Sequence, residues 1–300
     1  MSSKAAWDGK SRGGFLGYKI FNSILDTLGV GFAYFILYFV ALYFLFFGGK
    51  STKSNYSFFR NRIGLKPLKA VKNVYSSYYN FGQTILDKVA VLSKKKHPFT
   101  STSIGADLLW DMAKKGEGGI LISAHLGNWE IAGHFLHKLD VPINIVLFDG
   151  EHQRIKAMLE SVMVKKKFNI IAIKDNFSHI IEINRALKAK EFICIHGDRF
   201  TGSDESKTKV FPFLNGEARF PVGPFKMVSR FKVPYCFVFA LKDKKYHYNF
   251  FAFEADSDSY ELDDIMKSYI TRLEKMVIEN PKQWYNYYPF WEKNQITQIL

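Results

Sequence analysis

Between residues 119 and 196, short apolar runs alternate with segments of helical spacing, and this alternation limits the possible folds more than any other feature. Gly119–Ala124, Ile143–Phe148, Phe168–Ile173 and Phe192–His196 read as strands. They are too short for helices, and their apolar residues sit on consecutive positions, as strands covered on both faces require. Trp129–Leu139, Glu151–Lys166 and Phe177–Ala189 lie between them and read as helices. A helix joining two strands of one sheet returns the chain parallel. The expectation is therefore an α/β fold, a mostly parallel central sheet flanked by helices.

The flanks extend this pattern. Pro67–Leu92 carries Val71, Val74, Tyr78, Phe81, Ile85, Val89 and Leu92 at helical spacing, with Pro67 suited to a helix start. Ser103–Lys115, Val222–Phe231 and Leu262–Glu279 also read as helices. Pro234–Leu241 and Tyr246–Phe253 read as an antiparallel pair joined by Lys242–Lys245, and polar Gly202–Glu217 reads as a loop.

The N-terminal part obeys a different rule. Leu28–Phe47 reads LGVGFAYFILYFVALYFLFF, without charge or proline. Twenty such residues match a hydrocarbon core in length. Basic residues flank both ends (Lys4, Lys10, Arg12, Lys19; Lys50, Lys53, Arg60, Arg62), so the charge bias sets no orientation. The run is too long for a cleavable signal, and no small-residue cleavage site follows. It reads as a retained N-terminal membrane-anchoring helix that either spans or embeds, and a buried core helix is the competing reading. The expected division is an anchor region over 1–54 and a catalytic domain over 55–300.

The chain carries 42 basic and 28 acidic residues, a formal charge of +14, which calls for an anionic partner. Its basic residues are dispersed or in short clusters, and no zinc-finger, basic-zipper or RNP-type pattern occurs, so nucleic acid is not the expected partner. Cys194 and Cys236 sit inside apolar runs and read as small hydrophobes; a disulfide between them depends on geometry.

The candidate chemistry begins where the first central strand ends, at His125-Leu126-Gly127-Asn128-Trp129-Glu130. Five residues of helix rotate by about 500°, so His125 and Glu130 cannot share a helical face. They can meet if His125 lies on a turn and Glu130 in the first turn of the next helix. Gly127 permits a tight turn and Asn128 suits a helix cap. That corner would present a histidine base oriented by a carboxylate, although histidines at strand ends also serve only local hydrogen bonds. In open α/β sheets sites lie beyond the carboxyl ends of strands, where His125, the segment Phe148–Arg154, the segment His196–Arg199 and Arg219 are all placed. GxSxG is absent and Cys194 is expected to be buried, so His125 would activate an external hydroxyl or amine. Arg154, Arg199, Arg219 and backbone N–H groups are candidates to stabilise the developing oxyanion. Glu130, His134 and His137 share one helical face and, with Asp198, could form a metal site; no HExxH motif supports it.

At this point the residues resemble a known family. His125-x4-Glu130 after an apolar strand is similar to the HX4D/E motif of the glycerolipid acyltransferase superfamily. The wider pattern resembles the lipid A biosynthesis (late) acyltransferases: Ser123–Glu130, Gly197-Asp198, Phe213–Ala218 continuing to Pro221-x-Gly223, and Asn280-Pro281-x-Gln283-Trp284. The likeness covers about residues 15 to 295. It implies an enzyme of the inner membrane, with its catalytic domain on the cytoplasmic face, that moves an acyl chain from acyl carrier protein or acyl-CoA to a lipid hydroxyl. It also implies a His125/Glu130 dyad, substrate contacts from Asn128, Arg154, Asp198, Arg199 and Arg219, and no metal or other cofactor. Arg199 stands where that branch usually has Gln, which leaves the acceptor open among a lipid A precursor, an aminolipid, a glycolipid or a pigment lipid. A metal-dependent lipid or phosphoester hydrolase, and a non-catalytic lipid-binding protein, are the readings of other classes.

Overall fold

The computed structural model describes residues 23–25, 27–92, 97–136, 139–148, 168–173, 178–200, 204–256 and 259–291. Among the described residues the named elements begin with α1 (Gly29–Phe47), α2 (Lys50–Ser57), a short π-helical turn (Phe58–Arg62) and the long α3 (Pro67–Leu92). There follow β1 (Thr100–Ile104), α4 (Ala106–Lys114), β2 (Gly119–Ser123), α5 (Trp129–Leu136), β3 (Ile143–Phe148), β4 (Phe168–Ile173), α6 (Ser178–Lys188) and β5 (Phe192–His196). The last part holds β6 (Thr208–Pro212), β7 (Glu217–Pro221), α7 (Gly223–Phe231), β8 (Tyr235–Lys244), β9 (His247–Phe253), α8 (Leu262–Glu279) and a 3-10 turn (Pro281–Gln283).

Seven strands form one sheet in the order β1-β9-β8-β2-β5-β3-β4. Every neighbouring pair is parallel except β8–β9. The mostly parallel α/β layer fold expected from the alternation is the fold observed. β2 is buried along its whole length, and its side chains divide between two layers. Ile120 and Ile122 face α7 and α8, joining Phe225, Val228, Ile265 and Tyr269. Leu121 faces the opposite layer with Leu109 and Met112 of α4. Leu121 stands in register with Cys194 on one side and Cys236 on the other. Two sheet spacings therefore separate the cysteines, roughly 9–10 Å, beyond the reach of a disulfide. Both are free, and burial pushes the Cys194 thiol up to about 12.

Two segments depart from the sequence expectation. Ser103–Lys115 is not one helix: Thr100–Ile104 forms edge strand β1, and the helix begins only after Gly105. The strand TSTSI pairs with β9 alone and is largely exposed, so it has no apolar pattern to betray it. Gly105 turns the chain at φ 75°, where an added Cβ would lie 2.2 Å from the Ala252 carbonyl oxygen. The expected loop Gly202–Glu217 contains β6, which pairs antiparallel with β7 as a small hairpin outside the main sheet. The expected helix Glu151–Lys166 lies outside the described residues.

α1 lies along α3. Ala33, Tyr34, Leu37 and Ala41 form its buried face. Gly82 of α3 allows the close approach, since a Cβ there would meet Leu37 Cδ1 at 2.3 Å. The opposite face is apolar and open: Phe39, Phe46 and Phe47 are 60%, 70% and 69% exposed. At about 1.5 Å per residue, this helix is roughly 28 Å long. It is the helix long and apolar enough to cross a membrane among the described residues. A buried polar lock also ties it to the sheet. Asp87 of α3, fully buried, accepts Lys242 Nζ of β8 at 2.5 Å and the hydroxyls of Tyr34 and Tyr248.

Candidate active site

β2 ends at Ser123, and residues 124–128 turn the chain into α5. Gly127 holds φ 72°, and a Cβ there would lie 2.0 Å from the Ala240 carbonyl oxygen, so no side chain fits. The corner is tied on two sides. Asn128 N–H donates to Ala240 O of β8 (2.7 Å), Gly127 N–H donates to Gln283 O (2.8 Å), and Tyr285 N–H donates to His125 O (3.2 Å). Asn128 stands just before α5, as expected, but its side-chain amide donates to Thr84 O of α3 (3.1 Å) and lies against Tyr248 Oη (3.4 Å). It is 2% exposed and braces the corner.

The corner presents His125, and the carboxylate behind it is Asp198. Nδ1 of His125 lies 2.8 Å from Asp198 Oδ1, and the His125 backbone N–H donates to Oδ2 at 3.0 Å. Parallel register explains the meeting: Ser123 pairs with His196, so two residues further along each chain reach the same rim. The Asp198 side chain is 1% exposed and the imidazole 21%, which puts the acid inside and the base at the opening. Burial alone would raise the Asp198 pKa. The adjacent His125 with its hydrogen bond, Arg199 and His196 overcome this and hold it well below the usual carboxylate range. An ionised Asp198 can only accept, so it fixes the proton of His125 on Nδ1 and leaves the lone pair on Nε2.

Glu130 is engaged elsewhere. Its carboxylate pairs with Lys88 Nζ of α3 at 2.7 Å and 2.9 Å from its two oxygens. The expectation that Glu130 backs the imidazole is therefore corrected to Asp198. The reason is topological: Glu130 leaves on the far side of a corner that Gly127 turns toward α3. Arg199 donates to Tyr285 O and lies over the Tyr288 ring (5.7 Å), tying the rim to the C-terminal segment. Arg219 sits on β7, 3.4 Å from Thr208 Oγ1 across the small hairpin. Arg154 lies outside the described residues.

The sequence reading gave His196 no role, yet it completes the rim. Its Nδ1 lies 3.3 Å from His125 Nε2, the rings meet edge-on with centroids 4.3 Å apart, and Trp129 packs edge-on against its other side at 4.9 Å. Burial first, then the neighbouring His125 and Arg199, hold its pKa well below the usual 6.5, so it is neutral. The only sequence signal was its position as the last residue of an apolar strand beside the one that ends at His125. A narrow cavity of about 50 Å³ opens beside it, lined by Trp129, Glu130, Ile145, Leu147, Cys194 and Val238 among others. A larger cleft of about 300 Å³ lies away from this chemistry, between α1, α2 and α3.

The bacterial lipid A biosynthesis acyltransferase family matches residues 13–293, nearly the whole length. The chain belongs to this family. No curated protein matches it. The acyltransferase thus carries its buried Asp198, His125 and His196 in one line at the carboxyl end of adjacent parallel strands, where an α/β fold places its chemistry. The ligand atoms of these three residues lie within 4.8 Å of one another, the one group among the described residues dense enough for a metal. Both Asp198 oxygens already accept from His125, which leaves two imidazole nitrogens to offer an ion. Of the metal set expected from the sequence, Glu130 is paired with Lys88, while His137 and the His134 side chain lie outside what is described.

Proposed function

We propose that this acyltransferase transfers a fatty acyl chain from a thioester donor, acyl carrier protein or acyl-CoA, to a hydroxyl of a lipid acceptor, with His125 as general base and Asp198 as its orienting carboxylate. The single observation carrying this reading is the hydrogen-bonded pair Asp198–His125 at a strand end, with the imidazole partly exposed and the acid buried beneath it. The acceptor O–H gives its proton to Nε2 as its oxygen attacks the thioester carbonyl. The C–O bond forms, the C–S bond breaks, and the proton passes from the imidazolium to the departing thiolate. Asp198 stabilises the imidazolium without taking the proton. A base so placed contributes roughly 10²–10⁴-fold.

The acceptor belongs to the class of lipid A precursors in this reading, in keeping with the family. The enzyme works at the inner membrane with its catalytic domain on the cytoplasmic face, where anionic headgroups and an acidic carrier protein both suit a chain of charge +14. The outward apolar face of α1 supports attachment, and residues 1–54 act as the anchor region of a domain over 55–300. The lock from Tyr34 to Asp87 favours a helix that embeds alongside the domain over one that leaves it. No metal or other cofactor enters the reaction. Glu130 contributes at the edge of the cavity beside His196, its charge held by Lys88.

The test is transfer of a labelled acyl chain from carrier-protein and CoA thioesters to extracted lipid by the purified full chain. Loss of transfer in His125→Ala is the expected result, and full activity of that variant would overturn the reading.

A further inference from the structure

His196 is held by more than its neighbour. It ends β5 in parallel register with Ser123, so its backbone is fixed beside the corner. Trp129 closes one side of its ring and His125 the other. With Asp198 keeping the His125 proton on Nδ1, a neutral His125 accepts at Nε2 from His196 Nδ1–H across the 3.3 Å contact between the two imidazoles. The reactive lone pair of the base is therefore occupied while no acceptor is bound.

We infer that His196 is a positioning residue that guards this lone pair, withholding it from water until the acceptor hydroxyl takes its place. The inference rests on the acyltransferase reading above. A thioester held near an imidazole is open to a competing reaction: water attacks the carbonyl, its oxygen bonds to carbon, the C–S bond breaks, and its proton goes to His125 Nε2 and then to the thiolate sulfur. A transferase gains by excluding that route. A water would displace the His196 hydrogen bond with only its own to offer, whereas an acceptor lipid brings further binding contacts that offset the exchange. The small cavity beside the His196 ring gives it room to withdraw.

The experiment measures thiol release and fatty acid from a carrier-protein thioester without acceptor lipid, then acyl transfer with it, in the full-length enzyme. His196→Phe keeps a ring and removes the donor. Its hydrolysis without acceptor should rise about tenfold over wild type, the net worth of one hydrogen bond, and the ratio of hydrolysis to transfer should rise with it. His196→Asn, whose amide nitrogen can stand where Nδ1 stood, should return hydrolysis toward the wild-type rate. Hydrolysis by folded His196→Phe equal to wild type would overturn the inference, as would an Asn variant no better than Phe. If the Phe variant does not fold, the unaltered protein still decides. Nitrogen-15 spectra of its histidine rings should show coupling between His196 Nδ1 and His125 Nε2, and its absence in the acceptor-free protein refutes the guard. If wild type shows no His125-dependent transfer or hydrolysis, it is the acyltransferase reading that fails, and the ring coupling still judges the contact.

Discussion

Two carboxylates are buried almost completely among the described residues, Asp87 and Asp198, and they have opposite surroundings. Asp87 is saturated: a lysine ammonium at 2.5 Å and two tyrosine hydroxyls point at it from three elements. Asp198 meets an imidazole, whose second nitrogen meets a second imidazole. A buried acid matched to a fixed cation is a fastening. A buried acid matched to a ring that can gain and lose a proton transmits its charge outward. The same residue type thus serves architecture at one end of β8 and chemistry at the end of β2, and its partner decides which.

Substitutions can break this contrast, beginning with the largest effect. His125→Ala should cost roughly 10²–10⁴-fold in acyl transfer while the protein melts near the wild-type temperature. Asp198→Asn should follow closely, because the amide removes the charge that fixes the tautomer. Glu130→Gln should cost less than either; the reverse order in side-by-side transfer assays would return the orienting role to Glu130. Asp87→Ala should act on the other quantity. It strands the Lys242 ammonium in the interior, with a loss of about 3–5 kcal/mol in denaturant unfolding, because a buried ion loses its partner.

Acid sharpens the comparison with a smaller effect. The folded state holds the His196 pKa below the usual 6.5, so the unfolded chain takes up a proton that the native one refuses. Stability from this residue is complete above about pH 6.5 and drains as pH falls, at up to about 1.4 kcal/mol per unit until the folded pKa is reached. The depressed Asp198 carboxyl acts with the same sign, but only below its usual 3.8. Melting temperatures between pH 7 and 5 should therefore fall less steeply in His196→Asn than in wild type. The smallest effect belongs to the Lys88–Glu130 pair, partly exposed, whose removal should cost on the order of 1 kcal/mol or less.

The strands that read clearly in the sequence are those buried on both faces, because a continuous apolar run needs no knowledge of neighbours. β1 and β6 escaped for the reverse reason: an edge strand and an isolated hairpin carry polar residues on their open sides. The corner at His125 was legible, since Gly127 is a conformational demand visible in one residue. Its carboxylate was not. Residue 198 reaches residue 125 only because β2 and β5 are adjacent and parallel, and strand order is not encoded in local spacing. Five-residue spacing favoured Glu130; a long-range register favoured Asp198. Arg199, expected as a substrate contact, is tied to the C-terminal segment by a bond to Tyr285 that local spacing does not encode either.

The hydrogen bonds from Gly127 to Gln283 and from Tyr285 to His125 have a consequence for biosynthesis. The ribosome makes the histidine long before it makes the stretch that braces it. A nascent chain that has already made its hydrophobic helix still lacks the finished corner, and it acquires one only after residues 283–285 have emerged. Bracing of the histidine therefore waits on chain made well over a hundred residues later.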